Sequence, residues 1–237
     1  MVETNLPIQP IIRRPRPEPE AIPTAIIYED DSLIAIDKSP GIVVHPTYKN
    51  WSGTLLNGVL WHVRGRADIE PSIVTRLDKD TSGLVIVALG PDVHAQVQKD
   101  SEAGLIRKEY LALVRGTPDP DRGSISLPLA RSTEDRRLVV VTPTGQDSQT
   151  NYELVSSVDG YSLVRCELIT GRTHQIRVHL AAKGWPIAGD TTYGAVHPSL
   201  TRQALHAWRI TLPHPITREP LQIEAPVPAD LRHLMDR

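Results

Sequence analysis

The stretch RLDKDTSGLVIVA, residues 76–88, has charged side chains just before an apolar run, an arrangement that could fix a reactive carboxylate. Residues 84–88 have the composition of a short buried strand. Arg76, Asp78 and Asp80 come shortly before that strand. Either these charges belong to a solvated turn, which is the safer interpretation of this stretch alone, or the strand holds one carboxylate in place. A fixed, ionised carboxylate can act as a nucleophile or as a general base.

Two further residues are consistent with a fixed carboxylate. Arg172 lies in the segment 171–174, which is predicted to open a helix and so to bring the guanidinium near free backbone N–H groups. Tyr110 lies on the inward side of an alternating strand. Together an ionised Asp78, a fixed Arg172 and the face of Tyr110 could hold a sugar and a flat base. Taken singly, each residue has an ordinary structural interpretation: a turn carboxylate, a surface charge and a core aromatic residue.

Other kinds of site lack their motifs. The nine histidines form no HxxxH pair and no CxxC is present, so a structural zinc site is not predicted. The motifs GxGxxG, GxxxxGKS/T and GxSxG are also absent, which argues against a phosphate-binding loop and a nucleophile elbow. Asp78 and Asp80 would share one face of a strand, as a pair of glycosidase carboxylates could, but acidic residues are common in turns.

The elements that must position these residues alternate short strands with helices. Strands are predicted at 25–28, 33–37, 42–45, in the segments after Lys108, on both sides of a hairpin turn at Asp159–Gly160, and at 205–212 and 221–225. Helices are predicted over 55–63 with Ser52 or Thr54 as N-cap, after Asp92, and after Gly171. The pattern predicts one α+β domain over residues 25–237 with a mostly antiparallel sheet. Residues 1–24 are Pro-rich and predict a flexible tail, whose Arg13, Arg14 and Arg16 either touch phosphates or are merely solvated.

Composition limits the class of protein further. No apolar run reaches the roughly 20 residues needed to span a bilayer, and the N-terminus lacks the apolar segment of a signal peptide. The single cysteine, Cys166, permits no intrachain disulfide, so a cytoplasmic location is expected. No exposed apolar seam is evident, so a monomer is expected. The net charge of −2 means that a nucleic-acid partner would require the 26 Lys and Arg side chains to cluster locally.

Several blocks of the chain, in order, resemble the RluA-type family of RNA pseudouridine synthases. They are YEDDSLIAIDKSPGIVVHP, RLDKDTSGLVIVA, KEYLALVRG, TGRTHQIRVHLAAKGWPIAGDTTYG and the closing segment LHAWRITLPHPITREPLQIEAPVPADL. Ordered blocks of this length are far more specific than any single short motif. The resemblance covers roughly residue 25 to the C-terminus. It implies the α+β pseudouridine synthase catalytic fold, a bent, mostly antiparallel mixed sheet flanked by helices with a central cleft.

The resemblance also implies roles for individual residues. Asp78 matches the family's catalytic aspartate, Tyr110 the tyrosine that packs on the target base, and Arg172 the basic residue that pairs with the aspartate. Arg76 matches an arginine implicated in displacing the target nucleotide from its RNA. The remaining residues expected at the substrate are Thr81, Lys108, His174 and Arg177. For the last three, packing remains an alternative to substrate contact.

The implied reaction isomerises uridine: the N1–C1′ bond breaks, the base turns, and C5 joins C1′. No redox change occurs, so neither a nucleotide cofactor nor a metal is implied. Asp78 could attack the sugar or the base, or take a proton from the sugar. The target base must be flipped or already unpaired. Ribosomal RNA and transfer RNA both remain open as substrates.

The chain departs from the family pattern in two respects. Thr75 stands where the family usually has His, and residues 1–24 are too short for the S4 RNA-binding module that many relatives carry. RNA affinity is therefore expected to come from the catalytic domain itself. One alternative is a catalytically silent RNA-binding protein of the same fold. Another is a nucleoside or glycoside hydrolase that uses Asp78 and releases a free base or a cut sugar bond.

Overall fold

The computed structural model describes residues 16–47, 50–194 and 196–235. Within these ranges the strands are β1 (Ala25–Glu29), β2 (Leu33–Lys38), β3 (Ser72–Ile73), β4 (Ser82–Ala88), β5 (Arg107–Arg115), β6 (Arg122–Ser126), β7 (Leu129–Arg131), β8 (Val139–Val141), β9 (Gln149–Val158), β10 (Tyr161–Leu168), β11 (Leu205–Pro213) and β12 (Pro220–Glu224). The helices are α1 (Leu55–Val63), α2 (Pro91–Glu102), α3 (Gln175–Ala182) and α4 (Ala229–Met235).

Most of the strands belong to one mixed sheet, whose main path has the order β1-β2-β4-β11-β5-β10-β9-β6. β3 pairs with β4 and β12 with β11, while β7 and β8 form a separate two-stranded hairpin. Among the strand pairings described, only that of β4 with β11 is parallel, and it covers His206 with Ser82 and Ala207 with Gly83. This short parallel contact joins the two halves of the sheet.

Strand β4 is buried along its whole length because both faces of the sheet are covered there. Val85 and Val87 pack in a cluster with residues of α1. Leu84 and Ile86 point the other way, into a larger cluster that includes residues of α2, α3 and α4. The continuous apolar run that predicted a buried strand is thus confirmed, and its physical cause is helices on both sides.

The predicted helices are confirmed, but the predicted strand at 42–45 is wrong. The carbonyl groups of Val43 and Val44 accept hydrogen bonds from the N–H groups of Leu55 and Leu56, at 2.9 and 3.1 Å. These carbonyls therefore satisfy free donors at the start of α1 instead of joining a strand ladder. The segment forms a loop that lies against the N-terminus of this helix.

The N-terminal segment is more closely attached to the domain than its composition predicts. Residues 16–24 form no helix or strand, yet the N–H of Glu20 donates to the carbonyl of Asn57 at 3.0 Å. The Asn57 amide in turn donates to the carbonyl of Glu18 at 2.7 Å. From Glu18 onward, the predicted flexible tail therefore packs on α1. Arg13 and Arg14 lie outside the described residues, and Arg16 is exposed.

None of the helices in the described part of the chain has the length and apolar character needed to cross a membrane.

Candidate active site

Asp78 lies in the loop between β3 and β4. Successive backbone carbonyl groups of that loop accept hydrogen bonds that fix its conformation. The Asp78 carbonyl accepts from the N–H of Thr81 at 3.1 Å. The Lys79 carbonyl accepts from Nζ of Lys38 and from the N–H of Gly41, each at 2.9 Å. Lys38 is only 1% exposed, so its ammonium group acts as a buried anchor for the loop.

Arg202 supports the same loop beyond Asp78. Its Nη1 donates to the Asp80 carbonyl at 3.4 Å, while Nε and Nη2 bind the carboxylate of Asp230 at 2.7 and 3.0 Å. The hydroxyl of Thr81 is buried and accepts a hydrogen bond from the Gln203 amide at 3.2 Å. The charges before β4 are therefore not a freely solvated turn, because the backbone that carries them is fixed.

The carboxylate of Asp78 is bound by Arg177. Nη1 of Arg177 donates to Oδ2 of Asp78 at 3.0 Å, while its Nε and Nη2 bind both oxygens of Asp190 at 2.6 and 2.9 Å. The guanidinium thus bridges a fully buried carboxylate and one that is 25% exposed. Burial alone would lower the pKa of Arg177, but the hydrogen bonds and charges of Asp190 and Asp78 outweigh burial and raise that pKa.

The predicted pairing of Asp78 with Arg172 is wrong, because Arg177 occupies that place. Helix α3 begins at Gln175, later than predicted, so Arg172 lies in the loop before the helix. There Arg172 is exposed, and its Nε donates to the carbonyl of Asp147 at 3.2 Å. Arg177 lies in the first turn of α3 on its buried side, which directs its side chain toward Asp78.

Tyr110 lies on β5, where it pairs with Cys166 of β10 and Ala207 of β11. The residue is 9% exposed and lines the same cleft as Asp78, a space of about 420 Å³. Burial, with a smaller contribution from the charge of Asp78, raises the pKa of Tyr110, so its phenol keeps its proton. The site therefore places a neutral aromatic ring beside the carboxylate.

The other residues predicted at the substrate line the same region. Arg76, Thr81 and His174 line the cleft with Asp78, and Lys108 lines an adjoining part of it. Arg76 is exposed, whereas Lys108 is half-buried, and burial lowers the pKa of Lys108. The structure thus brings these side chains together, and their contact with RNA stays a prediction.

Positive charge collects beside this cleft. Arg76, Arg131 and Arg172 line a second pocket of about 870 Å³ that adjoins the first, between hairpin β7–β8 and the loop before α3. In the described ranges, none of these three arginines forms an ion pair with a carboxylate within 4.0 Å, unlike Arg177 and Arg202. The protein therefore combines a net charge of −2 with a local basic surface of the kind that binds phosphates.

Thr75, the departure from the family pattern, has a structural partner. Its Oγ1 accepts a hydrogen bond from the N–H of Ile86 at 2.9 Å, and its own N–H donates to the Ile86 carbonyl at 3.4 Å. Thr75 thus ties the start of the Asp78 loop to strand β4. The substitution leaves that loop attached to the sheet.

A cysteine nucleophile and a metal site are two alternatives to a catalytic carboxylate. Cys166 is fully buried on β10, and burial raises the pKa of its thiol to about 12, so a thiolate is not formed near neutral pH. No group of three or more His, Cys, Asp or Glu side chains within the described ranges could hold a metal ion.

Sequence reasoning missed several residues that build the site, because they come from distant segments. Those residues are Lys38, Asp190, Tyr193, Arg202 and Gln203. Arg177 was assigned to the substrate and not to the aspartate. A signal for its position was available, since Arg177 lies between the inward residues Ile176 and Leu180 of a helical segment.

A family model described as RNA pseudouridylate synthase matches residues 32–182, which include Asp78, Tyr110 and Arg177. This range covers more than half of the chain. The chain belongs to the RNA pseudouridylate synthase family. The predicted family is thereby confirmed, and with it, at the level of the family, the expectation of an isomerase that acts on RNA.

Individual members of the RNA pseudouridylate synthase family are similar along most of the chain. The ribosomal large subunit pseudouridine synthase D of Nitrosomonas europaea is 41% identical over 226 residues, which cover 91% of this chain and 65% of that protein. The protein of the same name from Haemophilus influenzae is 39% identical over 234 residues, which cover 92% and 72%. The chain thus spans slightly less than two thirds of the Nitrosomonas relative.

A solved structure of the RNA pseudouridylate synthase family has the same fold. Human RNA pseudouridylate synthase domain containing 4 superposes with a TM-score of 0.73 at 25% identity, over 88% of this chain and 90% of that one. The predicted α+β fold with a mixed, mostly antiparallel sheet is confirmed.

Proposed function

We propose that this protein isomerises uridine to pseudouridine in the RNA of the large ribosomal subunit. The observation that carries the proposal is the Asp78–Arg177 pair in a cleft lined by Tyr110. The RNA class is supported by two relatives named ribosomal large subunit pseudouridine synthase D. Transfer RNA is the second substrate class.

Asp78 starts the reaction in this proposal. Arg177 binds Oδ2 of Asp78 at 3.0 Å, whereas Oδ1 accepts no hydrogen bond from the described residues. An anchored carboxylate with one free oxygen suits attack on the sugar or the base, and equally removal of a proton from the sugar. Over the whole reaction, the N1–C1′ bond breaks and the C5–C1′ bond forms. C5 loses its proton and N1 gains one, so no oxidant or reductant is needed.

Tyr110 and the basic residues bind the RNA. A uridine inside a helix cannot reach Asp78, so the target nucleotide must leave its stack. The neutral ring of Tyr110 offers the displaced base a stacking face. Arg76, which is exposed at the cleft, fills the space that the base leaves in the RNA. Phosphates of the RNA contact Arg131, Arg172 and Lys108. Each contact contributes electrostatically to RNA affinity, and added salt weakens that contribution.

We also propose that residues 25–237 act as one catalytic domain, as a monomer in the cytoplasm, without a nucleotide cofactor. A single mixed sheet that contains every described strand except β7 and β8 supports one domain. The large apolar side chains that are exposed, such as Val155, Val196 and Ile216, lie on separate segments, which supports a monomer. Light scattering coupled to gel filtration tests this, since a dimer would appear at twice the mass of 26.2 kDa.

The function is tested by mapping pseudouridines in RNA from cells that lack the protein, with rescue by wild type or by Asp78→Asn. We expect one or a few large-subunit sites to disappear and only the wild type to restore them. The matched control is Asp31→Asn, in an exposed turn, which should restore them fully. If Asp78→Asn also restores the sites, Asp78 has no catalytic role.

Purified protein with a large-subunit RNA transcript that carries tritium at uridine C5 separates the alternatives. An isomerase releases tritium and leaves the chain intact. A hydrolase would release free uracil, and a silent binding protein would retain the label while it still shifts the RNA in a gel.

A further inference from the structure

His174 has a backbone conformation that is uncommon for residues other than glycine. Its φ of 55° and ψ of 16° lie in the left-handed region, immediately before α3. A residue other than glycine keeps such a conformation only where its surroundings hold it. The imidazole is in edge contact with the ring of Tyr193, with 5.5 Å between ring centroids. The strain points to a function for the position of this side chain.

A chain of hydrogen bonds favours one position for the proton on the ring of His174. The N–H of Val139, in β8, donates to the hydroxyl oxygen of Tyr193 at 2.7 Å. The same oxygen lies 2.7 Å from Nδ1 of His174. The Tyr193 hydroxyl can therefore accept from Val139 and donate its own proton to Nδ1 of His174. In this arrangement His174 is neutral and its hydrogen is on Nε2.

Nε2 of His174 faces the catalytic carboxylate. It lies 3.9 Å from Oδ1 of Asp78, the oxygen that Arg177 does not bind. At that distance the N–H dipole attracts the negative oxygen without forming a direct hydrogen bond. The opposite tautomer would aim a nitrogen lone pair at the carboxylate, which electrostatics disfavours. The two oxygens of Asp78 thus have separate neighbours, a guanidinium for Oδ2 and an imidazole N–H for Oδ1.

We propose that His174 and Tyr193 are positioning residues that orient the free oxygen of Asp78 toward the nucleoside. They also connect this oxygen to hairpin β7–β8, through the bond from Val139 to Tyr193. The hairpin carries Arg131 of the basic surface, so RNA bound at that surface affects the orientation of the Asp78 carboxylate. This inference rests on the proposed function, because it assigns Asp78 to the isomerisation.

The charges around His174 determine how the pair responds to pH. The groups that face it from the neighbouring elements are Asp78, Arg177, Asp190, Tyr193 and Arg131. Burial lowers the pKa of His174, the charge of Asp78 opposes this, and the charge of Arg177 adds to it. His174 is therefore neutral near pH 7. Protonation at lower pH would put a hydrogen on Nδ1 and displace the Tyr193 proton from that nitrogen.

The test is Tyr193→Phe, which removes the hydroxyl and keeps the ring. Tritium release from a uridine-labelled large-subunit RNA transcript is measured across pH. We expect kcat to fall about tenfold with KM within about twofold, since one hydrogen bond that orients the reacting group is lost. The acid limb of the kcat profile should move toward neutral pH, because His174 protonates more readily without the hydroxyl. Unchanged kcat and an unmoved acid limb would overturn the proposal.

The matched control is Tyr152→Phe. That hydroxyl donates to the carbonyl of Pro120 at 3.2 Å, and the residue lines a separate pocket with Arg122 and Arg165. Tyr193→Phe loses the hydroxyl hydrogen bonds with Val139 and His174, whereas Tyr152→Phe loses one. We therefore expect Tyr193→Phe to lose more stability, and kcat is compared under conditions where both variants are folded. Only Tyr193→Phe should change kcat and the pH profile. An equal loss of kcat in both variants would mean that the effect is merely structural.

An independent measurement separates this inference from the proposed function. The ¹⁵N shifts of the His174 ring in the wild-type protein report its tautomer without any substrate. We expect the hydrogen on Nε2 at pH 7 and a change in the ring shifts in Tyr193→Phe. A hydrogen on Nδ1 would overturn the inference even if tritium is released, whereas absent release with the expected tautomer would contradict only the proposed function.

Discussion

Gly83 is a residue at which a single added methyl group should do severe damage. It pairs with Ala207 in the short parallel contact between β4 and β11. An added Cβ would lie 2.2 Å from the carbonyl oxygen of Ala207 and under 3 Å from two further backbone atoms of that residue. Ordinary contact begins at 3.4 Å, so the strands must separate by about 1 Å. The φ of +107° is also one that alanine rarely adopts.

Gly83→Ala should therefore lower the free energy of unfolding by about 2–6 kcal/mol, the sum of backbone strain and overpacking at about 1–3 kcal/mol each. This is a large fraction of the total of about 5–15 kcal/mol for a typical domain. The contact also joins the half of the sheet that carries Asp78 to the half that carries Tyr110. We expect kcat for tritium release to fall as well, even where the variant is fully folded.

Urea unfolding followed by circular dichroism measures the effect. Gly65→Ala is the matched control, because this exposed glycine has open space around its Cβ position and no positive φ. It should change the free energy of unfolding by no more than about 0.5 kcal/mol. If Gly83→Ala proves as stable as Gly65→Ala, the reasoning from the strand contact is refuted.

Three further predictions concern the ion pair, the basic surface and a buried histidine. Arg177→Gln should abolish tritium release and lower the free energy of unfolding by about 3–5 kcal/mol, because it leaves Asp190 buried without its partner. Arg172 is exposed, so Arg172→Gln should weaken RNA binding but leave the free energy of unfolding unchanged. The reverse pattern in urea unfolding would contradict the pairing of Asp78 with Arg177. Arg131→Gln should reduce the slope of log affinity against log salt by about one, as measured by filter binding, and an unaltered slope would exclude a phosphate contact. Burial lowers the pKa of His206 to about 4, so the unfolded chain binds its proton first as pH falls from about 6.5 to about 4. Over that window the folded state should lose about 3 kcal/mol from this group, and urea unfolding of His206→Gln should show a correspondingly flatter pH dependence.

The sequence was sufficient for the elements whose signals are local. A continuous apolar run marked β4, and a turn at Asp159–Gly160 marked the β9–β10 hairpin. The start of α1 was predicted at Ser52 or Thr54, and the structure has Thr54 as N-cap. It also placed Asp78 at the mouth of a buried strand. The strand predicted at 42–45 failed because its carbonyls bind the N-terminus of α1, a partner that strand periodicity does not reveal.

The tertiary structure decided which arginine meets the aspartate. Both Arg172 and Arg177 belong to one helical-looking block, and the choice depends on where α3 begins. The side chain of Gln175 binds the N–H of Arg172 and the carbonyl of Gln149, so the helix starts there and not at Gly171. Strand β9 supplies that second partner from 26 residues away.

The local basic surface and the hydrogen-bond partners of His174 could likewise not be predicted from the sequence. Net charge counts every side chain equally, whereas the fold pairs some arginines with carboxylates and leaves Arg76, Arg131 and Arg172 beside the cleft. The hydrogen bonds that link His174 to Tyr193 and Val139 involve β8 and the loop after α3. The sequence by itself therefore determined the kind of fold and singled out Asp78 as the proposed catalytic aspartate, because ordered blocks of the chain resemble the family. The partners of that aspartate depend on contacts between segments as many as 99 residues apart, which only the folded chain brings together.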